Sequence, residues 1–224
     1  PRHIERHWQA LYRSGFYRGG PILCSALSGI DQALWDIRGK ELGLPVHEIL
    51  GGPVRERIRI YTGAGGSTPD ECRASGRAAR EAGFTAVKTG VPQSVRFIES
   101  AAFVASFVER MEALREGTGD DVDIAIDFHG RVSPAQSIRL AKALEPMHPL
   151  FIEEPCLPEN VDALVQVARS TTIPIATGER LFTRFGFREV LEKGGAAVLQ
   201  PDLSHAGGIS EVRLQHCGAA FLEH

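Results

Sequence analysis

Short apolar runs alternate with amphipathic segments along most of the chain. Apolar runs of this length are typical of strands buried on both faces, and the segments between them show the spacing of helices that bury one side. Strands that alternate with helices indicate a parallel sheet, either a barrel or a doubly wound sheet. The pattern predicts six strands: RIRIYTG (57–63), TAVKTG (85–90), VDIAIDFHG (122–130), PLFIEEP (149–155), IPIATGE (173–179) and AAVLQPDLS (196–204).

The helical segments carry start and stop signals. Residues 68–83 have Pro69 in the first predicted turn, where proline is favoured. Nearer the N-terminus, a helix is predicted with Ser28 as its N-cap and Gly43 as its stop signal. The other predicted helices are 1–13, 94–117, 133–146, 159–172 and 182–195, with the start of one more at 207–213.

Three acidic residues distinguish the barrel from the open sheet. Asp127, Glu153 and Glu179 each lie where an apolar strand run ends, and successive members are 26 positions apart. In a parallel barrel these positions all lie at the C-terminal rim, where barrel enzymes keep their active sites. Consecutive strands are neighbours in a barrel, whereas an open sheet more often reorders them. The spacing therefore predicts an α/β fold, a (β/α)8 TIM-type barrel with six units visible.

Composition narrows the class of protein. The 224 residues are 43% hydrophobic and 24% charged, and the net charge of −3 argues against a nucleic-acid-binding surface. No run approaches the ~18 apolar residues of a membrane span, and the N-terminal residues lack a signal-peptide core. The four cysteines lie far apart with no C-x-x-C pair, so we expect reduced thiols and a cytoplasmic location. The sequence leaves open whether any of the four cysteines pair in a disulfide.

The three strand-end carboxylates are suited to binding a metal ion. Hard oxygen donors with no cysteine nearby favour Mg²⁺ or Mn²⁺ over Zn²⁺. A divalent ion held there would stabilise the enediolate that forms when a proton leaves the carbon beside a carboxylate. The alternative is that each acid stabilises the N-terminus of the following helix, whose dipole favours negative charge. Because three acids share one register, the metal site is the favoured interpretation.

His129 follows Asp127 by two residues. On an extended strand both side chains point to the same face, so we expect the imidazole to lie beside the metal site. A histidine in that place can donate a proton to a leaving hydroxyl. Taken alone, His129 also fits a surface loop.

Four ordered motifs carry a family resemblance. "IDFHGR", "LFIEEP", "IATGERLFTRFGF" and "LQPDLSHAGGISE" resemble barrel strands of the enolase superfamily, mandelate racemase subgroup, and among its members the sugar-acid dehydratases. The upstream segment 15–52 resembles the family's link from capping domain to barrel. The resemblance implies residues 1–55 as the end of a capping domain and its linker helix and 56–221 as an incomplete barrel. It also implies a chain truncated at both ends. Separately, the final Leu-Glu-His, residues 222–224, is interpreted as a tag remnant.

The resemblance also implies an activity. This is the Mg²⁺-dependent dehydration of a sugar acid, D-galactonate or a similar aldonate, to a 2-keto-3-deoxy acid in carbohydrate catabolism. Asp127, Glu153 and Glu179 match the family's Mg²⁺ ligands, with Mn²⁺ as the alternative metal. His129 matches the acid that helps the β-hydroxyl leave, and Asp202 matches the aspartate that raises the basicity of the proton-abstracting histidine. The expected partners are a small-molecule sugar acid and further copies of the chain in a homo-oligomer, with neither nucleic acid nor membrane.

The general base is the open part of this interpretation. In the family it lies in a seventh-strand segment resembling "APHCPLG", which has no counterpart in these 224 residues, and neither His205 nor His216 matches that motif. Three alternatives remain: part of a longer enzyme, a truncated barrel that binds metal without turnover, or another dehydratase or racemase of the superfamily. Racemases carry Lys-x-Lys on the second strand, whereas this chain has Lys88-Thr89-Gly90, which disfavours a two-base racemase.

Overall fold

The computed structural model describes residues 2–213 as two compact units. Within the described residues, unit 1 comprises 2–58, 178–192 and 200–213, and unit 2 comprises 59–177 and 193–199. The sheet lies in unit 2, and the N-terminal helices lie in unit 1. The predicted domain boundary after residue 55 falls close to the end of the first segment of unit 1.

The elements follow the alternation expected from the sequence. The helices are α1 (Ile4–Ser14), α2 (Gly20–Leu42), α3 (Val46–Ile49), α4 (Pro69–Glu81), α5 (Ala101–Thr118), α6 (Pro134–Leu144), α7 (Val161–Arg169) and α8 (Thr183–Lys193). The strands are β1 (Thr62–Gly63), β2 (Ala86–Gly90), β3 (Asp123–Asp127), β4 (Phe151–Glu153), β5 (Ile175–Thr177) and β6 (Val198–Leu199). A 3₁₀ turn, Glu145–Met147, follows α6, and residues 209–213 are again helical.

The sheet of unit 2 has the strand order of a barrel. All neighbouring strands pair in parallel, and the spatial order β1 to β6 is the order along the chain. Ala125, Phe151 and Ala176 form a cluster in the sheet, and Val198 packs against it. Unreordered parallel strands joined by helices are the arrangement of a (β/α)8 barrel, so the predicted fold class is confirmed.

Side-chain caps fix the beginning of several helices. The N-caps of α4, α5, α6 and α7 accept a hydrogen bond from the third helical residue through a side-chain oxygen, as is favoured at this position. At α4 the exchange is reciprocal, because Thr68 accepts from the backbone N–H of Glu71 while the Glu71 carboxylate accepts from the backbone N–H of Thr68. Pro69 lies in the first turn of α4, as predicted.

Three predicted boundaries are wrong. Ser28 is not an N-cap, because α2 begins at Gly20 with Pro21 in its first turn, and the buried Ser28 hydroxyl donates to the carbonyl of Cys24 within the helix. The predicted helix 94–117 begins only at Ala101, after the N-cap Ser100. The predicted strand 57–63 is reduced to its last two residues, which are the ones that pair with β2.

No helix within residues 2–213 is long and apolar enough to cross a membrane. Cys24, Cys72 and Cys156 are free thiols and are buried. Cys217 and His216 lie outside the described residues.

The capping pair at α4 leads to a stability prediction. We expect Thr68→Ala to lower the free energy of unfolding by about 1 kcal/mol, because the backbone N–H of Glu71 loses its acceptor. The matched control is Ser67→Ala, one residue earlier and also exposed, which leaves the reciprocal cap intact. Urea unfolding followed by circular dichroism measures the difference, and equal stability of the two variants would contradict the capping role.

Candidate functional site

Asp127 and Glu153 lie side by side at the ends of two neighbouring strands. They are the last residues of β3 and β4, and their Cα atoms are partners in the parallel register. Each is only 2% exposed to solvent. Two carboxylates this close and this buried repel each other unless a cation lies near them. The described structure supplies such a cation.

Lys88 of β2 reaches both carboxylates. Its Nζ lies 2.9 Å from Asp127 Oδ2 and 2.6 Å from Glu153 Oε2, and it lies 5.8 Å from the centre of the Tyr61 ring. Burial lowers the pKa of Lys88, but hydrogen bonding to Glu153 and Asp127 and the charges of both outweigh it, so its pKa is raised above the ordinary value. Lys88 therefore stays cationic at neutral pH.

His129 lies beside Asp127, but the extended-strand reason given for it is wrong. Strand β3 ends at Asp127, and His129 sits in the turn that follows, with a left-handed φ of 51°. The Asp127 carboxylate contacts this turn twice. Its Oδ1 accepts from the His129 backbone N–H at 2.8 Å, and its Oδ2 lies 3.2 Å from His129 Nε2. The turn is also held by the residue after β4, since Gly130 N–H donates to the carbonyl of Glu154.

The cluster opens onto a cavity of about 700 Å³. The ends of β1, β2 and β3 form much of its wall, so its polar groups converge on the strand ends as expected for a barrel rim. Its lining residues include Tyr61, Ser75, Lys88, Thr89, Asp127 and His129.

Gly90 has a specific steric reason to be glycine. It is the Cα partner of Asp127, and a Cβ added to it would lie 2.9 Å from the Asp127 carbonyl oxygen. A side chain of any length at position 90 would therefore displace the backbone of β3. This position cannot carry a second lysine without a shift of the strand that bears Asp127.

The helix-capping interpretation of these acids fails at the two strands where it can be checked. The N-cap of α6 is Ser133, which accepts from the backbone N–H of Gln136, and the N-cap of α7 is Asn160, which accepts from that of Ala163. Asp127 and Glu153 are therefore not the side-chain caps of the helices that follow them.

Glu179 and Asp202 belong to unit 1. Glu179 follows β5 by two residues along the chain, and its carbonyl oxygen lies 2.7 Å from His205 Nδ1. Asp202 follows β6, and its Oδ1 accepts from the backbone N–H of Ser204 at 2.6 Å, while its Oδ2 lies 3.8 Å from His205 Nδ1. The three strand-end acids are thus a buried pair in unit 2 and a third member held in unit 1.

The donor set of unit 2 fits a hard cation. Asp127 and Glu153 offer buried carboxylate oxygens only, and both already converge on one positive centre, the Lys88 ammonium. Oxygen donors of this kind suit Mg²⁺ or Mn²⁺. Within the part of the chain that the structure describes, no group of three or more His, Cys, Asp or Glu side chains is placed to hold a metal ion. The three-carboxylate site therefore stays a prediction.

Sequence reasoning missed the part played by two residues. In the sequence, Lys88 bears only on the racemase alternative, although a lysine inside an otherwise apolar strand is rarely buried without a partner and is itself a signal. His205 matches no base motif, and its contact with the Glu179 backbone has no signature in the sequence.

Comparison with known proteins places these features in a family. Residues 71–219 match the profile of the family described as enolase C-terminal domain-like, and residues 1–51 match that of the mandelate racemase / muconate lactonizing enzyme N-terminal domain. The D-galactonate dehydratase of Ralstonia nicotianae is 53% identical over 211 residues, 94% of this chain and 55% of that protein. The D-galactonate dehydratase of Klebsiella pneumoniae is 51% identical over the same shares.

A solved structure gives the same relationship. The crystal structure of a member of the enolase superfamily from Salmonella Typhimurium is 32% identical, with a TM-score of 0.93, and the match covers 98% of this chain and 62% of that one. The chain thus spans about half the length of the curated relatives it matches.

The buried ion cluster leads to a second prediction. We expect Lys88→Met to lower the free energy of unfolding by about 3–5 kcal/mol, because two buried carboxylates lose their cation. Added Mg²⁺ should raise the thermal midpoint of this variant more than that of the unmodified chain, since the ion replaces the lost charge.

The control for this prediction is Lys40→Met. Lys40 pairs with Asp36 on the exposed face of α2, with 76% and 59% of the two side chains accessible, so its loss should change stability little. Calorimetry with and without Mg²⁺ measures the change in the free energy of unfolding and the shift of the thermal midpoint. If the Lys88→Met chain is as stable as the unmodified chain, Lys88 does not stabilise the two buried carboxylates.

Proposed function

Because this chain belongs to the enolase C-terminal domain-like family, we propose that it carries the metal-binding and acid part of a sugar-acid dehydratase. The proposed reaction removes water from D-galactonate or a similar aldonate and yields a 2-keto-3-deoxy acid, a step of carbohydrate catabolism. The buried Asp127–Glu153 pair with His129 in contact is the observation that carries the proposal. Relatives named D-galactonate dehydratase, at about half identity, support the substrate class.

Asp127, Glu153 and Glu179 are the residues proposed to hold Mg²⁺, with Mn²⁺ as the alternative. When bound, the ion would supply positive charge that stabilises the carboxylate of a sugar acid as its α-proton leaves. The adjacent strand ends support this for the first two residues, since they present oxygen donors at one place. Lys88, on the same cluster, supplies a further fixed positive charge for an anionic substrate.

His129 is proposed as the acid that protonates the departing β-hydroxyl. Its Nε2 lies 3.2 Å from Asp127 Oδ2, beside the carboxylate proposed to bind the metal ion. The side chain is 44% exposed and lines the cavity, so it can meet a bound hydroxyl there.

Asp202 keeps its proposed role of supporting the proton-abstracting histidine. In unit 1 its carboxylate already fixes the turn before His205, which makes it a structural member of the same loop. We assign the general base to no residue of the described chain. A homo-oligomeric assembly and a cytoplasmic location stay predictions.

A dehydratase is favoured over a two-base racemase by the packing at Gly90. A base on the second strand at this position would need a long side chain, and a Cβ there already meets the Asp127 carbonyl. Only one face of a substrate would then be served by a base, which is sufficient for elimination.

The metal assignment is tested by Glu179→Gln. We expect this variant to keep its circular dichroism spectrum, to bind Mn²⁺ more weakly, and to lose about 10²-fold or more of the rate of 2-keto acid formation, since a ligand oxygen becomes an amide. The matched control is Glu192→Gln on α8, whose surface pair with Arg188 is exposed. Full activity in Glu179→Gln would remove Glu179 from the site.

The same assay decides whether these 224 residues turn over. A panel of aldonates, D-galactonate first, is incubated with the chain and Mg²⁺, and the 2-keto acid is measured. Mg²⁺ binding without product from any aldonate would keep the metal site and contradict turnover by these 224 residues alone. Absence of both would contradict the whole proposal.

The acid role is tested by His129→Asn. Asparagine tolerates the left-handed backbone at this position, so the fold should remain, while dehydration should fall by about 10²–10⁴-fold with Mn²⁺ affinity largely kept. His148→Asn is a close control, because His148 is exposed and has a φ of 48°. Equal loss of activity in both variants would point to the backbone instead of the imidazole.

A further inference from the structure

The segment that carries Glu179 is fixed through its backbone. Leu181 N–H donates to the carbonyl of Gly178 at 3.0 Å and closes a turn around Glu179. Gly178 has a φ of 143°, and a Cβ on it would lie 2.8 Å from the backbone nitrogen of Gln200. The turn is therefore pressed against the chain just before Asp202, with no room for a side chain at position 178.

A histidine locks this turn from the other side. His205 Nδ1 lies 2.7 Å from the carbonyl oxygen of Glu179. A carbonyl can only accept, so Nδ1 carries the hydrogen and donates it. The contact is separate from the Asp202 carboxylate, whose Oδ2 is 3.8 Å away, beyond hydrogen-bond length.

His205 is itself held by the turn that Asp202 begins. The Asp202 carbonyl accepts from the backbone N–H groups of His205 and Ala206 at 3.0 and 2.8 Å, and its side chain accepts from Ser204. The Ala206 carbonyl in turn accepts from the N–H of Thr183, at the start of α8. The turns on either side of His205 and Glu179 are thus joined by backbone hydrogen bonds as well as by the imidazole.

The residues after His205 are anchored by buried polar groups of the N-terminal helices. Gly207 N–H donates to the Ser28 hydroxyl, and the Gly207 carbonyl accepts from the Trp8 indole at 2.6 Å. Ser210 donates to both oxygens of Asp31. Asp31 is 1% exposed, so these contacts satisfy a carboxylate that would otherwise be unpaired in the interior.

A buried ion pair completes the anchoring. Glu211, which is 0% exposed, accepts from Arg184 of α8 through both carboxylate oxygens, at distances from 2.7 to 3.2 Å, and from the Arg184 backbone N–H at 2.6 Å. A two-pronged arginine–carboxylate contact is both strong and directional. Residues 202–211, the anchored loop, are therefore fixed at both ends, with His205 near the middle.

We propose that His205 is a positioning residue for Glu179: its Nδ1–H holds the Glu179 carbonyl, and the anchored loop thereby sets the direction of the Glu179 side chain. The proposal rests on the proposed function, in which Glu179 binds the metal ion. It gives His205 a part that needs neither contact with substrate nor the role of a base. Outer partners that orient metal ligands commonly change metal affinity by about 10–100-fold when removed.

The test compares amide replacements that imitate one ring nitrogen each. His205→Asn places an N–H near the position of Nδ1, whereas His205→Gln places one near Nε2, and His205→Leu has no donor. The dissociation constant for Mn²⁺ is measured on the whole chain by electron paramagnetic resonance of the free ion. We expect about a tenfold loss of affinity in the Leu and Gln variants and recovery to within a few-fold in the Asn variant.

Controls separate positioning from general destabilisation. His47→Leu changes an exposed histidine of α3 in the same unit, so it should bind Mn²⁺ as the unmodified chain does. Unchanged Mn²⁺ affinity in His205→Leu would overturn the proposal. The same holds if His205→Asn binds Mn²⁺ no more tightly than His205→Leu, or if His205→Gln binds it more tightly than His205→Asn.

Failure of the metal proposal is distinguishable from failure of this one. If the unmodified chain binds no Mn²⁺, the metal site is wrong, and the contact is then judged by hydrogen exchange. His205→Leu should speed exchange of the Leu181 and Thr183 amides, which close the turns joined by the imidazole, and His205→Asn should restore their protection. Exchange that is equally slow in the Leu variant would overturn the positioning role.

Discussion

The closeness of two buried carboxylates is the constraint on which the site depends. Asp127 and Glu153 occupy one step of the parallel register, so the backbone itself brings their charges together. Water cannot screen them, since each is 2% exposed. Lys88 meets this need from the neighbouring strand. Its Cα is paired with Ala125, two residues before Asp127, and its long side chain reaches forward to both acids. The folded chain therefore needs a cation at this place, whatever chemistry the site performs.

The helices that follow the strands leave these charges available. Ser133 and Asn160 satisfy the first turns of α6 and α7 through their own side chains, so the acids are not needed as caps. Asp127 instead uses one oxygen to shape the turn that carries His129. Gly90 keeps the neighbouring strand from filling the space beside the Asp127 backbone. Different residues therefore cap the helices and carry the negative charge, which leaves carboxylate oxygens able to bind a cation.

Sequence patterns predicted the strands and their acidic ends because both depend on local periodicity, and the equal spacing of the acids then favoured the barrel order. Apolar runs mark buried strands, and a charged residue marks where each run leaves the interior. The turn at His129 could not be predicted, since Gly130 N–H donates there to the carbonyl of Glu154, which follows β4 and is distant along the chain. Ser28 shows the reverse error: serine suits an N-cap, yet Gly20 and Pro21 begin the helix earlier and the hydroxyl serves Gly207 instead. The preference of a residue for a local position, such as that of serine for an N-cap, is overridden where tertiary contacts fix its place.

The acids proposed to share one ion are fixed by different kinds of force. Asp127 and Glu153 are held by strand register and by charge, so any change in the cation between them acts on both at once. Glu179 is held by hydrogen bonds of its backbone, and these lead through His205 and the anchored loop to Ser28 and Asp31 of α2. A turn fixed by its backbone does not depend on a bound ion for its place, and the N-terminal helices are what anchor it.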